Sequence, residues 1–355
     1  MNPIKDLNLN KLQNNFHIVL RRFFKTPVTN PNQYELIINL YHQLQTVGSG
    51  IEKFQTKPQK VFIKTHFDIE KFKSYGWQYL VINFLKEEVN KKLSDFIIVF
   101  LIHGSFATKD FLPDWSDLDT LIILNNKVFE NVENLKYVYK TIRKMALLCY
   151  KIDPLAHHEF EFITEFNLRY YPRYMFPTVL YDYSVLLSGK SEFDIIFRPD
   201  KSEEIKYLED FLGYFWKKID VGDFSRNKFF WKNDLSQMML WPSLLLQAKN
   251  IFIYKKYSFD RAKEEFKNLD FSPVDRATAI RNNWKTLNLL KYYPSRLLSI
   301  LPYWFNEKVF YLFRKISRSS QPKEPAEKIK ELTLKFYSLA KSSLEYILNN
   351  KNGIL

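Results

Sequence analysis

A chain of 355 residues, 46% hydrophobic and 17% aromatic, holds enough apolar material for two ordinary domains, and it carries no repeat, low-complexity tract or heptad run, which excludes disorder and solenoids. The single cysteine, Cys149, excludes a disulfide framework and points to a reducing compartment, by default the cytoplasm; no signal-peptide pattern or run of roughly 18 apolar residues predicts a membrane span. The net charge of +14 is uneven, with 25 Lys/Arg against 22 Asp/Glu in residues 1–200 and 28 against 17 in residues 201–355, a surplus that suits anionic partners as well as plain solvated helix faces.

After Asn30-Pro31, Leu36, Ile37, Leu40, Tyr41 and Leu44 fall at helical spacing over 31–47, and Phe72, Leu80, Phe84 and Val89 continue the pattern over 68–93. The period then changes. DFIIVFLI, ending at Ile102, and DLDTLIIL, residues 117–124, are short continuous apolar runs of the kind that form strands buried on both faces. A helix is expected over 126–152, carrying Val128, Val132, Leu135, Val138, Ile142 and Cys149 on one side. HHEFEFITEF, from His157, reads as a third strand, and FDIIF at 193–197 as a fourth. Beyond Pro199 the pattern is helical, with breaks expected near Asp220–Ser225 and at Pro242, Pro273, Pro294 and Pro302, and with a polar linker before a last helix ending near Asn349. The fold class is therefore α/β plus α: strands with helical layers in residues 1–200 (core about 68–200), then an all-α domain, 201–355.

The junction of the two buried runs is the chemically informative place. A glycine at the end of a buried strand permits close backbone approach, and the amides after it form a concavity suited to phosphate, to which Ser105 adds a hydroxyl. On the next strand Asp117 and Asp119, two residues apart, leave the same face. Paired carboxylates beside an apolar core are costly unless a cation meets them, and oxygen ligands suit a hard ion such as Mg²⁺ that also binds substrate phosphates.

Gly104-Ser105, eleven intervening residues, then Asp117-Leu118-Asp119 between apolar flanks resembles the signature of the nucleotidyltransferase superfamily to which DNA polymerase beta and the antibiotic nucleotidyltransferases belong. Thr120 fills a slot that is usually apolar, and Leu121, Ile122 and Ile123 compensate. The resemblance implies transfer of an NMP group from an NTP to an acceptor hydroxyl or phosphate on a small molecule or protein, with pyrophosphate leaving. It also implies a small mixed sheet backed by helices in residues 1–200, a nucleotidyltransferase-like domain, and two ions, Mg²⁺ or Mn²⁺. Gly104 and Ser105 take the triphosphate role, Asp117 and Asp119 hold metal, and a third carboxylate completes the set. On the third strand Glu159 and Glu161 share one face, where the family usually has aspartate; Glu161 is preferred over Glu159 as metal ligand and catalytic group. A two-domain arrangement implies further nucleotide contacts from Lys249, Lys255 and Lys256 beside Tyr254 and Tyr257, with the active site in a cleft between domains.

His157 and His158 point to opposite strand faces and lack a zinc ligand set, and His103 is expected to be packed or bonded to backbone. No histidine lies in the helical half, which disfavours a HEPN-type ribonuclease. Two other readings stand beside the enzyme: a catalytically degenerate nucleotide-binding or regulatory module, and a protein that modifies or binds RNA ends, for which no zinc knuckle, Arg-Gly tract or RRM-like motif speaks. Nucleic acid is a possible partner and not the favoured one.

Overall fold

The computed structural model describes residues 3–49, 57–156, 158–173, 176–198, 203–224 and 227–352. Two compact units divide the chain, residues 1–200 with 288–313, and residues 201–287 with 314–355. A mixed sheet with helices in the N-terminal region is followed by an all-helical C-terminal region, as the change of hydrophobic period near residue 200 predicts.

The first unit contains seven strands among the described residues: β1 (Gln59–Phe62), β2 (Thr65–His66), β3 (Ile97–Ile102), β4 (Thr120–Leu124), β5 (Glu161–Thr164), β6 (Val185–Gly189) and β7 (Glu192–Ile195). Five form one sheet in the order β2-β6-β3-β4-β5, with β2/β6 and β4/β5 parallel and the two inner pairings antiparallel. Antiparallel β1 and β7 make a separate ribbon. The apolar continuity of β3 and β4 follows from burial on both faces. Phe100, Ile102, Ile122, Leu124 and Phe162 pack into a helical core, while Val99, Leu101, Leu121, Ile123 and Ile163 join a second cluster with Val61, Phe193 and Ile195. Strands β1, β2 and β6 were not evident in the sequence; they are two to five residues long, too short for a periodic signal.

The helical layer includes α1 (Pro3–Lys25) and α2 (Asn32–Ser49), with helices Trp77–Lys92 and Val132–Ile152. Phe24 of α1 stacks on Phe162 of β5 at 4.6 Å, and Tyr41 of α2 on Phe129 at 4.0 Å. The helix expected from residue 126 starts at Val132, where the Asn131 side chain accepts from the Asn134 amide at 2.8 Å; a separate 3₁₀ turn covers Asn126–Phe129. Residues 288–313 belong to this unit. Leu290, Leu298 and Phe310 enter its core, and Lys151 Nζ donates to the Tyr293 carbonyl at 2.6 Å and Ser295 Oγ at 2.9 Å.

In the second unit, helices Glu203–Asp220, Lys228–Ala248, Lys255–Glu265, Ser272–Asn282 and Ala326–Asn352 bury Phe215, Trp231, Trp241 and Phe336. The break expected at Pro242 does not occur: the helix Lys228–Ala248 runs through it, because the proline and its neighbours Trp241, Leu245 and Leu246 are buried and packing outweighs one lost helical hydrogen bond. Pro273 does mark a helix start. No helix among the described residues is long and apolar enough to cross a membrane.

Candidate active site

Gly104 stands where the buried β3 ends. Its φ is +69°, and a Cβ there would collide with the Asp119 carboxylate, so glycine is required both by the backbone conformation and by the space. A single helical turn, Gly104–Ala107, follows, closed by Thr108, whose amide and hydroxyl both donate to the Gly104 carbonyl at 3.1 Å. Its first amides have no intrahelical acceptor, and Ser105, half-buried, sits among them.

The intervening loop is tied down before it reaches the acids. Leu112 N donates to Ser116 Oγ at 3.0 Å, Ser116 N returns to Leu112 O at 2.9 Å, and Trp115 and Ser116 are buried. His103 N donates to the Asp119 carbonyl at 3.0 Å, extending the β3/β4 pairing one step beyond Ile102 opposite Thr120. Leu118, 1% exposed, packs into the helical core, while Asp119, whose carbonyl still pairs with β3, lies on the side of Leu121 and Ile123; Asp117 precedes this pairing. Both acids are half-buried.

Glu161 reaches that face from the next strand. It pairs in parallel register with Leu121, and Ile163, two residues on, belongs to the same cluster as Leu121 and Ile123. Its carboxylate is already engaged by cations: Arg21 Nη2 lies 2.5 Å from Oε1, Lys25 Nζ 3.6 Å and His158 Nδ1 3.5 Å. Arg21 Nη2 also lies 3.0 Å from His158 Nδ1. Burial alone would raise the Glu161 carboxyl, but His158, Lys25 and Arg21 outweigh it and bring the group down to about 2. His103, on the same side, is lowered to about 4 by burial, which exceeds the opposing pull of Glu161 and Asp117 and of a hydrogen bond to the Thr120 backbone; its ring is neutral near pH 7. Backbone bonding is the role expected of it.

Glu159 is elsewhere engaged. The strand expected from residue 157 begins only at Glu161, so the alternation that put both glutamates on one face does not apply, and His157 lies outside the described residues. Glu159 accepts from the Tyr150 hydroxyl and faces Arg143 Nη1 at 3.7 Å; Arg143 in turn donates to the Lys25 carbonyl at 2.7 Å and to Glu307 Oε1 at 2.8 Å. This network clamps the end of α1. Cys149 is buried beside it, its thiol pushed well up by burial and by Glu159, Asp117 and Asp119, which keeps it protonated and unreactive. Lys249, Lys255 and Lys256 lie in the second unit. Lys249 pairs with Glu265 at 2.6 Å, while Lys255 and Lys256 are exposed in the first turn of helix Lys255–Glu265.

Among the described residues no group of three or more His, Cys, Asp or Glu side chains is arranged to hold a metal ion. The Asp119 carboxylate lies against Gly104, with Asp117 two residues before it, and carboxylates are the oxygen-donor type that suits a hard divalent cation. Glu161 does not fit as a third ligand, because Arg21 and Lys25 hold the charge a cation would need. The sequence pointed to Glu161 but not to these partners. The available signal was the spacing of His17, Arg21 and Lys25 on one helical face.

Residues 82–177 match the family model described as nucleotidyltransferase domain, a stretch that runs from within helix Trp77–Lys92 through β3, the Gly104-Ser105 turn, both aspartates and β5. The chain thus carries a nucleotidyltransferase domain, with α1 and the whole of the second unit outside the matched residues. No curated protein and no solved structure shows significant similarity to the chain.

Proposed function

We propose that the nucleotidyltransferase domain moves an NMP group from an NTP to an acceptor hydroxyl or phosphate, with Gly104 and Ser105 receiving the triphosphate and Asp117 and Asp119 holding one Mg²⁺ or Mn²⁺. The observation that carries this reading is the packing of the Asp119 carboxylate directly against the glycine that ends β3, which puts acid and phosphate turn in contact. In the reaction the acceptor oxygen, a hydroxyl releasing its proton to solvent, bonds to the α-phosphorus, the bond from that phosphorus to the bridging oxygen breaks, and pyrophosphate leaves with the electron pair. A divalent cation, when bound, supplies charge neutralisation on the phosphates. Ser105 and the first amides of its turn orient the leaving phosphates, and the two aspartates fix the charge balance around them.

A second reading has a specific observation in its favour. Glu161, bound to Arg21 and Lys25 and held at about 2, is a poor proton acceptor near pH 7, which suits a domain that binds nucleotide without transferring it. The two are separated by thermal melting with each NTP, with and without Mg²⁺ or Mn²⁺, followed by a pyrophosphate-release assay across sugar, aminoglycoside, peptide and RNA acceptors. A ligand that binds only the folded state raises the melting temperature. The expected result is a metal-dependent rise for one NTP, absent in Asp117→Ala/Asp119→Ala, together with pyrophosphate release. A rise without release supports the binding module, and no rise with any NTP removes both.

A further inference from the structure

We infer that Arg21 and Lys25 of α1 are built-in substitutes for a second metal ion, so that this site takes one divalent cation where a three-carboxylate site would take two. The inference rests on the reading of Asp117 and Asp119 as metal ligands and adds what the third acid does. By strand register Glu161 lies opposite Leu121, two residues on from Asp119, whose carbonyl continues the β3/β4 pairing one step before β4. A carboxylate there would serve a shared ion if it were uncommitted. Instead, Arg21 at 2.5 Å and Lys25 at 3.6 Å bring two fixed positive charges to its single negative one.

These cations are not on a swinging arm. Position 21 is fixed by packing on both sides: Phe16 packs edge-on against Phe129, Phe24 stacks on Phe162 at 4.6 Å, and Leu20, Phe23 and Phe24 are buried. Gln13 Nε2 donates to the Tyr170 carbonyl at 2.7 Å, and Arg143 closes the other end of the helix on the Lys25 carbonyl at 2.7 Å. The backbone that carries Arg21 and Lys25 is therefore fixed against β5, so both cations stay within reach of Glu161 whether or not a metal is bound. Arg21 and Lys25 act as positioning residues that set the ion count through Glu161.

The test counts ions. Bound Mn²⁺ is measured by electron paramagnetic resonance on the full chain with the α,β-methylene analogues of ATP, GTP, CTP and UTP in turn. The wild type should hold one Mn²⁺ per chain with the nucleotide it accepts, Arg21→Gln/Lys25→Gln should hold two, and adding Glu161→Gln to that variant should return the count to one. Should the double variant not fold, Glu161→Gln in the wild-type background decides: Mn²⁺ affinity within twofold of wild type supports the inference, and a loss of tenfold or more makes Glu161 a ligand and overturns it. Two ions in the wild type, or one in a folded double variant, also overturn it. No bound ion with any nucleotide would instead refute the assignment of Asp117 and Asp119, on which the inference depends.

Discussion

Position 104 shows how much can depend on one missing side chain. At φ +69° an L-residue is disfavoured by about 1–2 kcal/mol, and at Gly104 the added methyl would also displace the Asp119 carboxylate. Gly104→Ala should therefore lower the free energy of unfolding by at least about 1–2 kcal/mol and abolish the metal-dependent rise in melting temperature with NTP. Denaturant titration and melting with ligand check the two effects separately; an unchanged ligand response would remove Gly104 from the site. The turn at Gly104 after β3 and the start of β4 just beyond Asp119 were legible in the sequence because strand ends are local properties, fixed by a few neighbouring residues. Arg21 and Glu161, 140 positions apart in sequence, meet only through the packing of α1 on β5, and no local pattern encodes that meeting.

Helix α1 is the element that gives the site its electrostatic character. His17, Arg21 and Lys25 recur every four residues, one ridge of a helix, and all three lie within electrostatic reach of Glu161. Burial lowers His17 from 6.5 to about 4, further depressed by Arg21 and Lys25 and partly offset by Glu161. Two pH windows follow. Below 6.5 the unfolded chain protonates His17 while the fold does not, so stability is lost as pH falls from 6.5 to about 4. Glu161, depressed from 4.5 to about 2, contributes stability that is complete above 4.5 and is lost as pH falls through that range to about 2. Each unit of displacement corresponds to about 1.4 kcal/mol before solvent screening. His17→Gln should flatten the stability profile in the upper window and Glu161→Gln in the lower, read from urea unfolding at stepped pH; equal slopes in wild type and variants would show that this ridge does not carry the pH dependence. The late start of β5 belongs to the same scale. Its parallel pairing with β4 begins at Leu121 and Glu161, whereas the sequence pattern of alternating residues runs on upstream through Glu159. Alternation reports a face only where a neighbouring strand holds the backbone flat.

The whole chain is less divisible than its sequence suggests. The switch from mixed to helical pattern near residue 200 is plain, but the assignment of 288–313 to the first unit is not, because an amphipathic helix reads the same whichever core it packs against. That segment supplies partners to groups along helix Val132–Ile152. Glu307 receives Arg143 Nη2 at 2.8 Å, Tyr293 O and Ser295 Oγ receive Lys151, and Asn288 Nδ2 donates to the Lys151 and Ile152 carbonyls at 2.9 and 3.1 Å. Leu290, Leu298 and Phe310 fill the same core. Each large buried side chain lost from a core costs about 2–5 kcal/mol, against a total stability of about 5–15 kcal/mol for an ordinary fold. A fragment of residues 1–200 should therefore contain Gly104, Ser105, Asp117, Asp119 and Glu161 and still fail to hold the nucleotide site: no cooperative thermal transition, rapid proteolysis within Val132–Ile152, and no NTP-dependent stabilisation. Adding a peptide of residues 288–313 in trans should restore protease resistance. A fragment 1–200 that melts cooperatively and responds to NTP by itself would show that the returning segment is dispensable to the fold that positions Asp117 and Asp119.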